Sequence, residues 1–141
     1  MSVNLNATYQ DIRNAEKYLE TGATNIVYKD RLRNKPFLMA NAEVVINKKD
    51  LFAKASNASF YISTSYIHKY FLGWPSMAAK DGKENIPTQF VQDAGITYAL
   101  KDNRYSISLG MRNVLNQQVY DDFLLQKPGR FSSVKLKYFL K

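Results

Sequence analysis

No cysteine occurs among the 141 residues, and histidine occurs once, at His68. Thiol nucleophiles, disulfides and cysteine-based zinc sites are therefore excluded. A lone imidazole supplies neither a His-rich metal site nor a pair of catalytic histidines. Long apolar runs are also absent: no stretch approaches the roughly 20 apolar residues of a membrane-crossing helix. The opening MSVNLNATYQDIRNAEKY lacks the apolar centre and small-residue cleavage site of a secretory signal. Acidic residues are outnumbered, 12 against 20 Lys and Arg, for a net charge of +8. That excess suits nucleic acid, an anionic lipid surface or an acidic ligand. Aromatic residues, by contrast, are plentiful, with 10 Tyr and 8 Phe. This is not the composition of a disordered chain, and the length fits one domain.

The periodic signal is two-residue alternation. In SVNLNATYQ, Val3, Leu5, Ala7 and Tyr9 face one way and Ser2, Asn4, Asn6 and Thr8 the other. FLMANAEVVIN sets Leu38, Ala40, Ala42, Val44 and Ile46 against Asn41 and Glu43. ASFYISTSYIHKYF sets Phe60, Ile62, Thr64 and Tyr66 against Tyr61, Ser63 and Ser65, with room for a bulge near Ile67 or His68. QDAGITYAL sets Ala94, Ile96, Tyr98 and Leu100 against Asp93, Gly95 and Thr97. RYSISLGMRN sets Tyr105, Ile107, Leu109 and Met111 against Ser106, Ser108, Gly110 and Arg112. SVKLKYFL sets Val134, Leu136, Tyr138 and Leu140 against Lys135 and Lys137. The pattern predicts an all-β fold, an antiparallel up-and-down meander of about six strands, most about as long as a tilted membrane-crossing strand.

The connections alternate in length. A polar segment from about Arg13 to Pro36 is long, KKDLFAK is short, GWPSMAAKDGKENIPT is long, KDN is a minimal hairpin turn, and NVLNQQVYDDFLLQKPGR is long. One rim of the sheet is thus elaborated and the other plain, as in outer-membrane barrels. QDIRNAEKYLETG, with Ile12, Ala15 and Leu19 near helical spacing, reads as loop with some helical content.

Alternation of this kind also suits a soluble antiparallel sheet. Two features favour lipid over water on the apolar side. The polar faces are rich in Ser, Thr, Gly and Asn, as a wet lumen is. Tyr9, Tyr66, Tyr98, Tyr105 and Tyr138 lie on the apolar faces, mostly near strand ends, where an interfacial belt places its rings. Tyrosine also favours strands of any kind.

From Ile86 onward the chain resembles the C-terminal end of TonB-dependent outer-membrane receptors. The matching residues are the Asp-led strand with its late tyrosine (Asp93, Tyr98) and the element Asn113-Val114-Leu115-Asn116. Tyr120-Asp121, Pro128-Gly129-Arg130 and the closing strand Val134 to Leu140 follow in the family's order. A weaker likeness precedes it in KDRLRNKPFLMANAEVVI, at Asn34, Pro36 and Asn41. Within the last connection, Asn116 and Asp121 suit side-chain-to-backbone bonds that organise a turn. Pro128 fixes φ and Gly129 admits a conformation other residues resist, for a sharp reversal. Arg130 is placed to bind Asp121 or Asp122.

The resemblance implies that residues 1–141 are the C-terminal part of a much larger barrel, without its plug domain; the complete family barrel has 22 strands around a plug. It implies residence in the outer membrane of a Gram-negative bacterium. The partners it implies are outer-membrane lipid or lipopolysaccharide, the N-terminal barrel and plug, TonB through that plug, and the barrel assembly machinery. The implied function is uptake of a scarce ligand such as siderophore-iron, haem or cobalamin, with no transport by these strands alone. The terminal aromatic that the assembly machinery reads falls here on Leu140, followed by Lys141, with Phe139 out of phase.

Tyr70, Phe71 and Trp74 in YFLGWPS suit either stacking on a ligand or an interfacial belt. Arg31 and Arg33, with Lys29 and Lys35, suit anionic ligands or lipopolysaccharide phosphates, or simply a solvated loop. No catalytic residue, cofactor or metal ligand set is expected: there is no phosphate-binding glycine loop, no nucleophile elbow and no partnered acid–base pair. The rival reading is a small soluble β-barrel or sandwich that binds an anionic partner such as nucleic acid. Lys135 and Lys137 share their face with no aromatic but Phe139, which is a poor base-stacking platform, and no nucleic-acid partner is expected.

Overall fold

A computed structural model describes residues 1–77, 85–101, 103–121 and 124–140. Six strands form one sheet, arranged across it in chain order, every neighbouring pair antiparallel. They are β1 (Ser2–Tyr9), β2 (Leu38–Lys49), β3 (Asn57–Ile67), β6 (Gln89–Leu100), β7 (Tyr105–Arg112) and β8 (Phe131–Tyr138). A small pair, β4 (Tyr70–Phe71) with β5 (Asn85–Ile86), and a 3₁₀ turn at Pro75–Met77 lie in the connection between β3 and β6. The sheet is an open meander: β1 is bonded only to β2 and β8 only to β7. The connections 10–37, 68–88 and 113–130 all leave one end of the sheet, and 50–56 and 101–104 turn at the other.

The short turns follow from local chemistry. Lys101 and Asn103 take positive φ (49° and 70°) and Arg104 N–H returns to Lys101 O at 3.1 Å, closing the β6–β7 hairpin. Asp102 of that turn lies outside the described residues. In the β2–β3 turn the Asp50 carboxylate accepts the Ala55 N–H at 2.8 Å, an Asx-type lock.

The register puts the predicted apolar sets on one face. Val3 faces Val44, Val44 faces Ile62 and Ile62 faces Ala94 across four strands. Ile46, Phe60, Ile96, Leu109 and Val134 make a second continuous row. No layer of described residues covers this face. Leu5 is 74 % exposed, Ile96 46 % and Leu136 76 %. Among described residues the buried apolar side chains are Val27, Ala58, Tyr70, Ile86 and Ala99. A six-stranded sheet that leaves its oily face bare forgoes most of the burial that stabilises a fold in water.

The other face is polar and hydrogen-bonded: Asn4 to Glu43 at 3.2 Å, Asn41 to Asn6 at 3.1 Å, Thr97 to Ser108 at 2.9 Å. One large side chain lies across it. A Cβ at Gly95 would stand 2.5 Å from Tyr61 Cε1 and 2.9 Å from Leu109 O, and one at Gly110 3.8 Å from Tyr61 Oη. Gly95 and Gly110 face each other across β6 and β7, forming a lane for the Tyr61 ring. Gly95→Ala is expected to lower the urea stability of the chain in detergent micelles by about 1–3 kcal/mol, because a backbone carbonyl cannot yield. Gly110→Ala, whose nearest neighbour is the Ser133 Oγ at 3.2 Å, is expected to cost less. Tyr61→Ala is expected to recover only part of the Gly95→Ala loss, since the Leu109 carbonyl remains. Equal midpoints for the two glycine variants, followed by far-ultraviolet circular dichroism, are the contrary result.

Two local expectations are corrected. β3 keeps one register from Asn57↔Lys49 to Ile67↔Met39, and likewise against β6, so there is no bulge; the strand ends at Ile67. His68 N–H still reaches Leu38 O at 3.0 Å, and the chain then leaves the sheet to pair Tyr70 with Ile86. The segment after β1 is not helical. It folds back as an irregular hairpin, with Asn14 N–H on Asp30 O, Leu32 N–H on Ile12 O and Leu19 N–H on Ala23 O. Ile12 and Leu19 are 46 % and 45 % exposed. A helix there would have no apolar surface to pack against, so paired backbone prevails.

Candidate functional site

The three long connections leave the same end of the sheet, and the first is held by charge. The Asp11 carboxylate accepts Arg13 Nε at 3.0 Å and Nη2 at 2.9 Å on one oxygen, and Arg31 Nε at 2.9 Å on the other. Arg31 also lies over the Phe37 ring, 4.2 Å from its centre. The Arg13 hydrogen bond, with Arg31 assisting, holds the Asp11 carboxyl below its usual value, and Arg13 is raised in turn by Asp11. A depressed folded pKa means the clamp contributes above the unfolded pKa of Asp11 and is lost as pH falls through the folded one. Amide protection at Asn14 and Leu32, taken relative to intrinsic exchange at each pH, is therefore expected to fall only at acid pH below the ordinary carboxylate range. Asp11→Asn is expected to show the lower protection at neutral pH. The clamp is solvent-exposed, so added salt should weaken it. Exchange in Asp11→Asn that matches the parent at neutral pH would show the clamp to be idle.

The first and second connections are tied together. The Asp30 carboxylate accepts both the Ser76 N–H and the Ser76 hydroxyl, each at 2.7 Å. Asn34 N–H reaches Phe71 O at 2.7 Å. The Arg33 guanidinium lies 5.9 Å from the Trp74 ring centre. Of the loop residues singled out by sequence, Arg33 and Trp74 are thus brought together, and Arg31 is turned to Asp11. Phe71 uses its carbonyl, and Tyr70 is buried at 3 % exposure. Asp30, Asn34 and Ser76 carry no local signal for their roles: Asp30 and Ser76 are 46 residues apart.

The third connection explains its own sequence. Asn113 and Asn116 both take left-handed φ, 50° and 52°, which asparagine tolerates better than most residues. Asn113 Oδ1 accepts the Gln117 N–H at 2.9 Å and its amide donates to Gln117 O at 2.8 Å. Its own N–H goes to the Asp93 carboxylate on β6 at 2.8 Å. Asn116 Oδ1 accepts the Arg130 N–H at 3.0 Å, and Asp121 Oδ1 accepts the Leu125 N–H at 2.9 Å. Tyr120 N–H is held by Gln89 Oε1 at 3.0 Å, and Tyr120 bridges to Gln126.

Pro128 precedes Gly129, whose part differs from the expected one. Its φ is not positive; a Cβ there would stand 2.8 Å from Asn116 Oδ1. The glycine serves close approach of the Asn116 amide rather than unusual backbone. Asp122, named as a partner for Arg130, and Lys141 lie outside the described residues, as does 78–84 of the second connection.

Asn116→Ala is expected to remove the Arg130 acceptor and a residue suited to left-handed φ together, costing about 1–2 kcal/mol. The loss should appear as proteolysis within 117–130, with the strands still protected. Cleavage no faster than in the parent chain would contradict it.

At this rim the first two connections are braced to each other, and the third to β6 and within itself. Among the described residues no group of three or more His, Asp or Glu stands close enough to hold a metal ion, and no helix is long and apolar enough to cross a membrane, which says nothing of crossing by strands. Comparison with protein-family models, with curated proteins and with solved structures finds no match to this chain.

Proposed function

We propose that this chain is the C-terminal barrel portion of a TonB-dependent outer-membrane receptor. The intact receptor would take up a scarce ligand such as siderophore-iron, haem or cobalamin across the Gram-negative outer membrane. The observation that carries the reading is the bare apolar face of the six-stranded sheet, backed by a polar face. Tyr9, Tyr66 and Phe90 stand toward its long-loop end and Tyr98, Tyr105 and Tyr138 toward its short-turn end. Strands with lipid on one side and a wet lumen on the other have this division, with aromatic girdles at both boundaries. The unbonded outer sides of β1 and β8 are where further strands would continue the wall. The braced long-loop rim would face outward, and ligand contacts would come from it together with the plug. A soluble binding module would instead spend this apolar face on a core.

Dilution of the chain from urea into phosphatidylcholine vesicles tests the membrane part. The expected result is β-rich circular dichroism and co-flotation with vesicles, and association or precipitation in plain buffer. A monodisperse β-rich monomer without lipid or detergent overturns it. Reading the genomic DNA upstream of codon 1 tests the receptor part: plug and barrel coding is expected there, and unrelated coding would remove the uptake function while leaving the membrane reading intact.

A further inference from the structure

The short-turn rim differs in chemistry from the braced long-loop rim. The sequence at that end carries Lys48, Lys49, Lys54, Lys101, Arg104 and Lys137 against two carboxylates, Asp50 and Asp102, the latter outside the described residues. Asp50 is engaged by the Ala55 N–H. Both ion pairs among the described residues lie at the opposite end, on Asp11. Tyr105 and Tyr138 stack at 5.0 Å between ring centres, 24° from parallel. The Arg104 guanidinium stands 5.9 and 5.7 Å from the two rings and donates to Tyr138 Oη at 3.3 Å. Its Nε is buried and has no hydrogen-bond partner among the described residues. Lys101 Nζ lies 5.5 Å from the Tyr105 ring centre. Phe52 is held out from the neighbouring turn, 92 % exposed.

Below these cations, on the apolar face, runs a groove lined by Tyr98, Tyr105, Ile107, Leu136 and Tyr138. A cationic head site over an apolar channel is the shape of one amphiphile. We propose that this rim binds an anionic glycerophospholipid, with an acyl chain in the groove and the phosphodiester at Lys101 and Arg104. The inference rests on the membrane reading above. Charge selects the occupant. A zwitterionic headgroup brings its own cation to a rim where cations outnumber carboxylates, whereas an anionic one meets a net positive charge. In barrels with this loop asymmetry the short turns lie on the periplasmic side, which favours a glycerophospholipid over lipid A.

The test uses the full chain in micelles doped with equal amounts of phosphatidylglycerol and phosphatidylcholine, with retained lipid counted by native mass spectrometry. One cation near an anionic surface contributes about a five-fold preference. The parent chain is therefore expected to favour phosphatidylglycerol by on the order of tenfold or more. Lys101→Gln/Arg104→Gln is expected to bring the ratio near parity. Lys101→Gln alone, at an exposed turn position, should reduce it about five-fold and guards against misfolding of the double variant. Lys17→Gln/Lys69→Gln changes net charge equally at the far rim and should leave the ratio intact. Parity in the parent chain, equal loss in the far-rim variant, or displacement of phosphatidylglycerol by lipid A each overturns the proposal while leaving membrane insertion standing. Failure to retain either phospholipid, with a monodisperse chain in plain buffer, removes the membrane reading itself.

Discussion

Ile96→Arg is expected to destabilise the lipid-inserted chain by about 2–4 kcal/mol, the cost of a cation on the lipid face of a barrel strand near the bilayer centre. Ile96 sits between Phe60 and Leu109 in a continuous apolar row. The paired control is Ser59→Arg, on the polar face and pairing with Asn47 and Thr97. There the guanidinium meets polar neighbours, and the change should stay within about 1 kcal/mol. Reversible urea unfolding from phosphatidylcholine vesicles measures both. The two substitutions add the same side chain and charge to neighbouring strands, so their difference isolates the environment of the face. In a water-exposed sheet Ile96, already 46 % exposed, would tolerate arginine at little cost. Equal costs on the two faces would therefore end the membrane reading.

The second large effect is local. Ile86 is fully buried, with no measurable exposure, and pairs with the buried Tyr70 in the small β4–β5 unit. Ile86→Ala is expected to cost about 2–4 kcal/mol of that unit's stability, the transfer term plus the cavity left behind. The chain has a single tryptophan, Trp74, and it lies in the same connection, beside Arg33 of the first, so its fluorescence reports the long-loop rim rather than the sheet. The expected result is a Trp74 transition displaced to lower urea while the far-ultraviolet signal of the sheet stays in place. Loop units of this kind commonly open below the global transition. Coincident shifts of both signals would mean that the rim and sheet unfold as one unit. The Asp30–Ser76 and Asn34–Phe71 contacts would then be stronger braces than their exposed setting suggests.

The strands were legible because their information is local. Two-residue alternation decides which side chains share a face, and a hairpin register carries that choice from strand to strand. Thus Val44 and Ile62, Ile96 and Leu109, and Ile107 and Leu136 meet as their separate strands imply. The unequal connections were equally plain, since long polar segments and short turns differ in composition. Asn116 and Asp121 announced a turn because their short polar side chains cap nearby amides, as they do for Arg130 and Leu125.

Tertiary structure alone decided the rest. Tyr61 lies along the Gly95–Gly110 lane because those glycines come together only after β3, β6 and β7 pair. Gly129 admits the Asn116 amide, a contact made across a loop rather than along the chain. The helical spacing of Ile12, Ala15 and Leu19 yielded to backbone pairing because no apolar surface faced it. Arg104 sits beside the stacked Tyr105 and Tyr138 because β8 returns along β7, and the Asp30–Ser76 tether forms because two connections leave the same end of the sheet. Local preference determined the strands and their faces. Proximity between distant segments determined which side chains the rims bring together.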